Sequence, residues 1–512
     1  MKVPLGARAA AGIFLIFLGA AFVHSSGKRY SEKRFIAQTV GCKLDVMSVQ
    51  LGDVPEGSEA GAVILFHGIS ANKIVMSYVA RVFAEQNLRV FVPDLPGHGR
   101  SEGPFSPALA ETCALSFVRG LSARGMVRPD RTILAGHSMG GAIALRIAGK
   151  FRPAGVIALS PAPMAAAHGA LAENLLYANP PVINPNTLIL ASQFEPRGLT
   201  GNAADLAASS KDPSVQFIYL AGQTHVSPLF SGKAGRILQD WTAQVLEIPA
   251  ATMLPKRTRL LGGIIGLIGI LILSGPFLRE LMGQTAAEVV SAPAAQFPSA
   301  VQLCAEFFLI SCALVAVFPY WIPLRGIHLY EGDYLASYFL LSGLALLALH
   351  PKLTKDYLGS RSNKNFGSLA ASLIAGVLLL LLVSGWFELT ASGAWLNAQR
   401  WLRLPIFAVA TFTFVYAFEV LLGPVTEQNS SKRLWFSGLL FVTGWLPLAI
   451  GVLYFHTGQI LLLLLAPYFA ISFLLIRTGS QLVRRSTGSP TAAAIFGAIL
   501  LGGFCMVLFP LS

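Results

Sequence analysis

Charged residues are scarce in this chain. Asp, Glu, Lys and Arg make up 12% of its 512 residues, against roughly a quarter in an ordinary globular protein. A wholly soluble protein is therefore not expected. The shortage is uneven: residues 24–258 carry charge throughout, while 259–512 are dominated by Leu, Ile, Val, Phe, Ala and Gly. A soluble domain has been joined to a membrane domain. Acidic residues are fewer than basic ones, 25 against 38, yet no basic stripe with interleaved aromatics appears. Nucleic acid is accordingly not expected as a partner, and much of the excess lies in short loops between apolar stretches, as membrane topology requires. Cysteine is rare as well. The five show no zinc spacing, and their odd number argues against a disulfide framework. A Cys42–Cys113 bridge is compatible with the sequence, but nothing in it calls for one. No metal or cofactor is expected.

What is abundant is apolar sequence of membrane-spanning length. Lys2 and Arg8 precede an apolar run from Ala9 to Val23, which is the length of a signal-peptide core and short for a full span. No clear small-residue cleavage site follows, so residues 1–27 read as an uncleaved anchor in preference to a cleaved signal. Either way the next domain, 28–255, is exported. Eight further stretches, within a membrane domain 256–512, approach the ~20 helical residues a hydrocarbon core requires. They lie near Leu260–Leu278, Val301–Pro323, Tyr334–His350, Phe366–Trp386, Leu404–Leu422, Leu434–Phe455, Gln459–Ile476 and Thr491–Leu511.

Their loops alternate in charge. One set holds Arg279, Lys352, Lys355, Arg361, Lys364, Lys432, Arg433, Arg477, Arg484 and Arg485; the other holds Arg325, Arg400 and Arg403. Ten basic residues against three place the first set in the cytoplasm and the soluble domain outside it, on a cell membrane. Against this stand Lys28, Arg29, Lys33, Arg34, Lys256, Arg257 and Arg259, which would be on the other side. They flank a long domain, where the rule is weakest. Glu306 and Glu419 lie inside apolar stretches, near the cytoplasmic ends, and read as interfacial.

Residues 35–250 alternate strand and helix patterns, implying an α/β fold with a mostly parallel sheet and helices on both faces. Strands are expected at Lys43–Gln50, Ala62–Phe66, Arg89–Pro93, Thr132–Ala135, Gly155–Leu159, Thr187–Ala191 and Gln216–Leu220. Helices are expected near Ser77–Gln86, Leu109–Leu121, Gly140–Gly149 and Gly232–Leu246. Gly136-His137-Ser138-Met139-Gly140 falls where a strand turns into a helix. That is the setting of a nucleophile elbow, in which glycines on either side keep side chains clear of a strained turn and the serine projects at the sheet edge.

Together with Phe66-His67-Gly68 and Asp94-Leu95-Pro96-Gly97-His98-Gly99-Arg100-Ser101, this elbow resembles the α/β-hydrolases of the monoacylglycerol-lipase and S33-peptidase-like group. The resemblance covers about residues 60–248, under half the chain, and no family is recognised in the membrane half. It implies a serine hydrolase with Ser138 as nucleophile and a chain order of serine, acid, histidine. His225, after a strand and before the last helix, occupies the place of the base; His168 lies in a variable stretch. Ser192-Gln193-Phe194-Glu195 fits the acid's position with Glu195 as the acid, while Asp205 and Asp212 are its rivals. The backbone amides of Ile69 and Met139 would form the oxyanion hole. His67, Asp94 and His98 read as loop braces. Between Leu159 and Thr187 the lid is short, with Met164, Leu171, Leu175 and Leu176 as either pocket lining or core.

The expected activity is cleavage of ester or amide bonds through an acyl-enzyme. The partners would be a lipid bilayer and a small acylated or peptide substrate. An acyltransferase would use the same triad while excluding water. A transporter or scaffold with the hydrolase fold as a binding module is a third reading, opposed by the intact Ser–Glu–His order. Oligomeric state is not legible.

Overall fold

The computed structural model describes residues 4–27, 29–52, 60–164, 177, 180–283, 297–359, 365–390, 393–427, 430–455 and 459–512. The chain folds as two compact units. The first helix, α1 (Leu5–Gly27), leads into a sheet unit formed by Leu18–Ile264, Trp386–Trp395 and Pro510–Ser512. Its strands are β1 (Tyr30–Thr39), β2 (Cys42–Leu51), β3 (Gly61–Phe66), β4 (Leu88–Pro93), β5 (Thr132–His137), β6 (Gly155–Leu159), β7 (Thr187–Phe194) and β8 (Gln216–Thr224). They form one sheet in the order β1-β2-β4-β3-β5-β6-β7-β8. The β1–β2 and β2–β4 pairings are antiparallel, and every later pairing is parallel.

The central strands are continuous apolar runs because both faces are covered. Every residue of β5 and β6 is buried, and β3 is buried after Gly61. Among the described residues, five helices pack around the sheet: α2 (Ser77–Ala84), α3 (Pro107–Ala123), α4 (Met139–Phe151), α5 (Arg197–Ala208) and α6 (Gly232–Leu246). Two start at serine caps. Ser106 accepts from the Leu109 N–H with Pro107 at the first helical position, and Ser231 accepts from the Ala234 N–H.

Three features go beyond the sequence reading. The sheet begins one strand earlier than expected, with β1 in a hairpin with β2. Several of the basic residues that counted against topology here bind the unit's own acids: Arg29 to Glu85 at 2.8 Å, Arg34 to Glu388 at 3.5 Å and Arg259 to Glu32 at 3.5 Å. Cys42 and Cys113 are joined in a disulfide that ties β2 to α3 across 71 residues. A closed loop of that length stabilises by roughly 2–4 kcal/mol, mainly by restricting the unfolded chain. Replacing both cysteines by serine should therefore lower the thermal midpoint of the solubilised protein by several degrees. Reductant should reproduce the drop in the wild type and have no effect on the double variant.

The other unit comprises Met1–Phe17, Ile265–Gly385 and Leu396–Phe509 and is helical. Among the described residues, eight helices are long and apolar enough to cross a membrane: Leu5–Ser25, Thr258–Gly283, Ala300–Val317, Gly332–Leu349, Phe366–Thr390, Ala398–Leu422, Trp435–Tyr454 and Pro490–Leu508. That composition is the mark of a multi-pass membrane protein. The stretch expected at Gln459–Ile476 differs. A short helix, Ile460–Leu464, ends at Leu465, and a second runs Ala466–Thr487. The second contains Arg477, Arg484 and Arg485. Two of these arginines change the reading of Glu419. Only 1% of its side chain is exposed, and it is gripped by Arg477 and Arg484. It is buried by protein, where an interfacial carboxylate had been expected. Glu306, partly exposed, pairs with His350 at 2.8 Å.

Candidate active site

The site is built at the carboxyl ends of β3, β5, β7 and β8. β5 ends at His137 and α4 starts at Met139, so Ser138 alone makes the turn. Its backbone sits at φ 53° and ψ −117°, a region that non-glycine residues adopt only when the surroundings impose it. Those surroundings are specific. The Ser138 N–H donates to Leu159 O at 2.9 Å, and Ser138 O accepts from the Ala162 N–H at 2.9 Å. A Cβ at Gly136 would lie 2.2 Å from the Gly140 backbone, and one at Gly140 would lie 2.3 Å from Phe66 O. Neither position has room for a side chain.

β3 runs beside β5 with Phe66 opposite Gly136, which carries the next loop alongside the elbow. A Cβ at Gly68 would lie 3.2 Å from the Ser138 Cβ. Among the described residues, neither the Ile69 nor the Met139 amide has a protein acceptor. Met139 is the first residue of α4, where an amide has no partner within its own helix. Two unoccupied donors thus flank the serine.

β7 runs three residues past the strand expected, to Phe194, with an irregular register between Ser192 and Phe194. Glu195 follows directly. Its side chain is 1% exposed, and its Oε1 stands 3.3 Å from Nδ1 of His225. His225 in turn follows the end of β8. Asp205 is exposed on α5, and Asp212 is occupied in a turn, accepting from the Ser214 N–H at 2.8 Å. No hydrogen bond joins Ser138 Oγ to His225 among the described residues; such contacts are often loose without substrate.

His137, the residue before Ser138, is itself bonded to His225. Its Nε2–H donates to His225 O at 2.8 Å, and the two rings stand 4.8 Å apart. Burial lowers the His137 pKa to about 3, with the His225 charge pushing the same way. A neutral His137 can therefore sit beside the base without opposing its protonation. Sequence reasoning gives His137 no part, because it fills a variable position of the elbow motif.

The expected braces surround this centre. His67 Nε2 accepts from the Leu95 N–H at 2.9 Å, so its Nδ1–H donates to Gly68 O at 2.8 Å. Burial holds the His67 pKa below its usual value and favours this neutral form. Asp94 accepts from the Lys73 N–H at 2.7 Å and from the Arg100 N–H at 2.9 Å, and pairs with the Lys73 ammonium. His98 packs on His67 with ring centroids 5.0 Å apart. In the lid stretch Met164 is buried core, its backbone N–H and C=O both bonded to the Asn202 side-chain amide. His168, Leu171, Leu175 and Leu176 lie outside the described residues.

A family model described as the alpha/beta hydrolase family matches residues 63–423. The chain belongs to the alpha/beta hydrolase family. Uncharacterized proteins of Mycobacterium bovis and Mycobacterium tuberculosis are 32% identical to this alpha/beta hydrolase over 91 residues, 18% of its length and 25% of theirs. The chain thus spans a quarter of these relatives. Among solved structures, an esterase/lipase from an uncultured bacterium matches with a TM-score of 0.35 at 17% identity, covering 48% of this chain and 92% of its own. A thermostable carboxylesterase from a metagenomic library matches with a TM-score of 0.35 at 14% identity, covering 48% and 97%. The matched span reaches into the membrane half, and the family supports hydrolase chemistry for the protein.

Proposed function

We propose that this alpha/beta hydrolase cleaves ester, or amide, bonds through an acyl-enzyme on Ser138, acting on lipid-like or acylated substrates at an extracytoplasmic membrane surface. The observation that carries the reading is the buried Glu195 carboxylate on Nδ1 of His225, beside a strained serine flanked by two free amides. In that arrangement Glu195 fixes the tautomer in which His225 Nε2 can accept a proton. Ser138 Oγ attacks the substrate carbonyl while its proton passes to Nε2. The carbonyl oxygen gains charge and is met by the amides of Ile69 and Met139, with the α4 N-terminus adding a favourable dipole. His225 then returns the proton to the leaving alcohol or amine, and water releases the acyl group by the same steps.

The substrate class follows from the protein's setting. The catalytic unit is covalently joined to apolar helices at both ends, which favours substrates presented by a bilayer. Turnover of a series of p-nitrophenyl acyl esters and aminoacyl amides by the solubilised protein tests this. Preference for medium or long acyl esters is expected. No turnover of any member, together with no labelling by a fluorophosphonate, would overturn the proposal.

The outside orientation is supported by the disulfide, which suits an oxidising compartment, and by the ion pairs that occupy several of the opposing basic residues. The loop bias counts for less, since Arg477, Arg484 and Arg485 lie in a helix between the last two membrane-length helices. In a background lacking Cys304, Cys312 and Cys505, single cysteines at Asp130 or Arg128, both exposed on the sheet unit, should react with an impermeant maleimide in intact cells. Cysteines at Lys352 or Lys355, both exposed, should react only after permeabilisation. The reverse pattern would put catalysis in the cytoplasm.

A further inference from the structure

The loop after β3 carries the Ile69 amide, and it needs to be held. Ser70 has φ 60°, a left-handed conformation that a serine keeps only under constraint. On one side the constraint is local: Gly68 O accepts from the Ala71 N–H at 3.2 Å and from His67. Further on, the Lys73 N–H is fixed on Asp94. Between them stands Asn72, largely buried, whose side chain reaches a part of the chain 321 residues away.

That partner is Gly393. Asn72 Nδ2 donates to Gly393 O at 2.7 Å, and Asn72 Oδ1 accepts from the Gly393 N–H at 3.0 Å and from the Ile74 N–H at 3.0 Å. Oδ1 faces two N–H donors and Nδ2 faces a carbonyl, so the amide fits in one orientation only. Gly393 belongs to Trp386–Trp395, a piece of the chain assigned to the sheet unit although it connects two membrane-length helices. This piece is fastened independently. Glu388 pairs with Arg100 at 2.8 Å, and the Trp386 indole N–H donates to Gly263 O at 2.8 Å.

We infer that Asn72 is a positioning residue for the oxyanion hole, held by Gly393, so that the connection Trp386–Trp395 sets the geometry of catalysis. This rests on the reading in which Ile69 supplies one of the two oxyanion amides. The physical case is one of tolerance. An oxyanion donor acts over about 2.7–3.1 Å, and its loss costs on the order of 10²–10³ in kcat. A displacement of about 1 Å can cost about 10². A strained loop released at one anchor drifts by amounts of that order, whereas the ground-state substrate, which gains little from the hole, still binds.

The full-length solubilised protein provides the test, with a p-nitrophenyl acyl ester as substrate and a trifluoromethyl ketone as the tetrahedral analogue. Asn72→Ala should lower kcat roughly ten- to a hundredfold with KM within about threefold, and should weaken the ketone in parallel with kcat/KM. A merely structural role would reduce the number of titratable active sites and leave the ketone affinity of the remaining sites unchanged. Gly393→Ala supplies the second handle, since the added Cβ would meet the Asn72 side-chain amide at 2.9 Å. It should reproduce the kcat loss alone and add less than about twofold on top of Asn72→Ala, where the amide is gone, since coupled sites are non-additive. If Asn72→Ala does not fold, Gly393→Ala decides by the same kcat and ketone measurements. Values within twofold of wild type for either variant, or full additivity of the pair, would overturn the inference while leaving Ser138-dependent hydrolysis intact. A wild type that neither labels nor hydrolyses would remove the underlying reading and the inference with it.

Discussion

Ser138→Ala should abolish fluorophosphonate labelling and lower ester hydrolysis by on the order of 10⁶, the loss seen when a serine protease is deprived of its nucleophile. The remainder would be the 10³–10⁴ over water, roughly, that an oxyanion hole and substrate binding supply by themselves. Stability should change little, because Oγ makes no hydrogen bond among the described residues. A sharper check uses Ser138→Gly. That variant is equally without a nucleophile but is freed from the left-handed backbone at φ 53°, a conformation costing a non-glycine residue about 1–3 kcal/mol. It should therefore melt above Ser138→Ala by several degrees. Undiminished labelling of either variant would remove Ser138 from the mechanism. Equal melting temperatures would show that the turn is not strained.

Glu195→Gln is expected to lower kcat by about two to four orders of magnitude, from the effect of the equivalent change in a serine protease. The carboxylate accepts from His225 Nδ1–H and stabilises the imidazolium that forms as Ser138 attacks. A glutamine can offer Nδ1 an N–H donor instead, which favours the wrong tautomer. KM should move little, because nothing that touches substrate is removed. Asp205→Asn and Asp212→Asn should leave kcat within about threefold, since surface changes seldom reach a site. Measured at saturating substrate with folding checked by circular dichroism, an active Glu195→Gln alongside an inactive Asp variant would reassign the acid.

Much of this unit was legible because local pattern reports burial. Strands β3 to β6 fall within about two residues of the runs expected for them, since a strand covered on both faces must be apolar throughout. The elbow follows from the end of such a strand, whereas Glu195 and His225 follow β7 and β8, which end exposed. Strand β1 was not legible. Tyr30–Thr39 mixes charged side chains with a few buried ones, and its basic residues resemble the flank of a membrane helix. The bridge between Cys42 and Cys113, the burial of Glu419 under two arginines and the bond from Asn72 to Gly393 share one cause. Each depends on residues tens to hundreds of positions apart, and pairing at that distance leaves no local periodicity. His137 was hidden differently, as filler within a motif defined by its neighbours.

The tie between Asn72 and Gly393 has a consequence for the order of events during synthesis. At roughly 5–20 residues per second, the 321 residues that separate them represent on the order of 15–60 s of translation. Strands β1 to β8 emerge within the first half of the chain and have ample time to collapse. The loop bearing Ile69 nevertheless waits for its last anchor until five membrane-length helices have emerged. If Asn72 positions the oxyanion hole as inferred, newly made protein should therefore pass through an interval in which its sheet is folded but hydrolysis is slow, until Gly393 is in place.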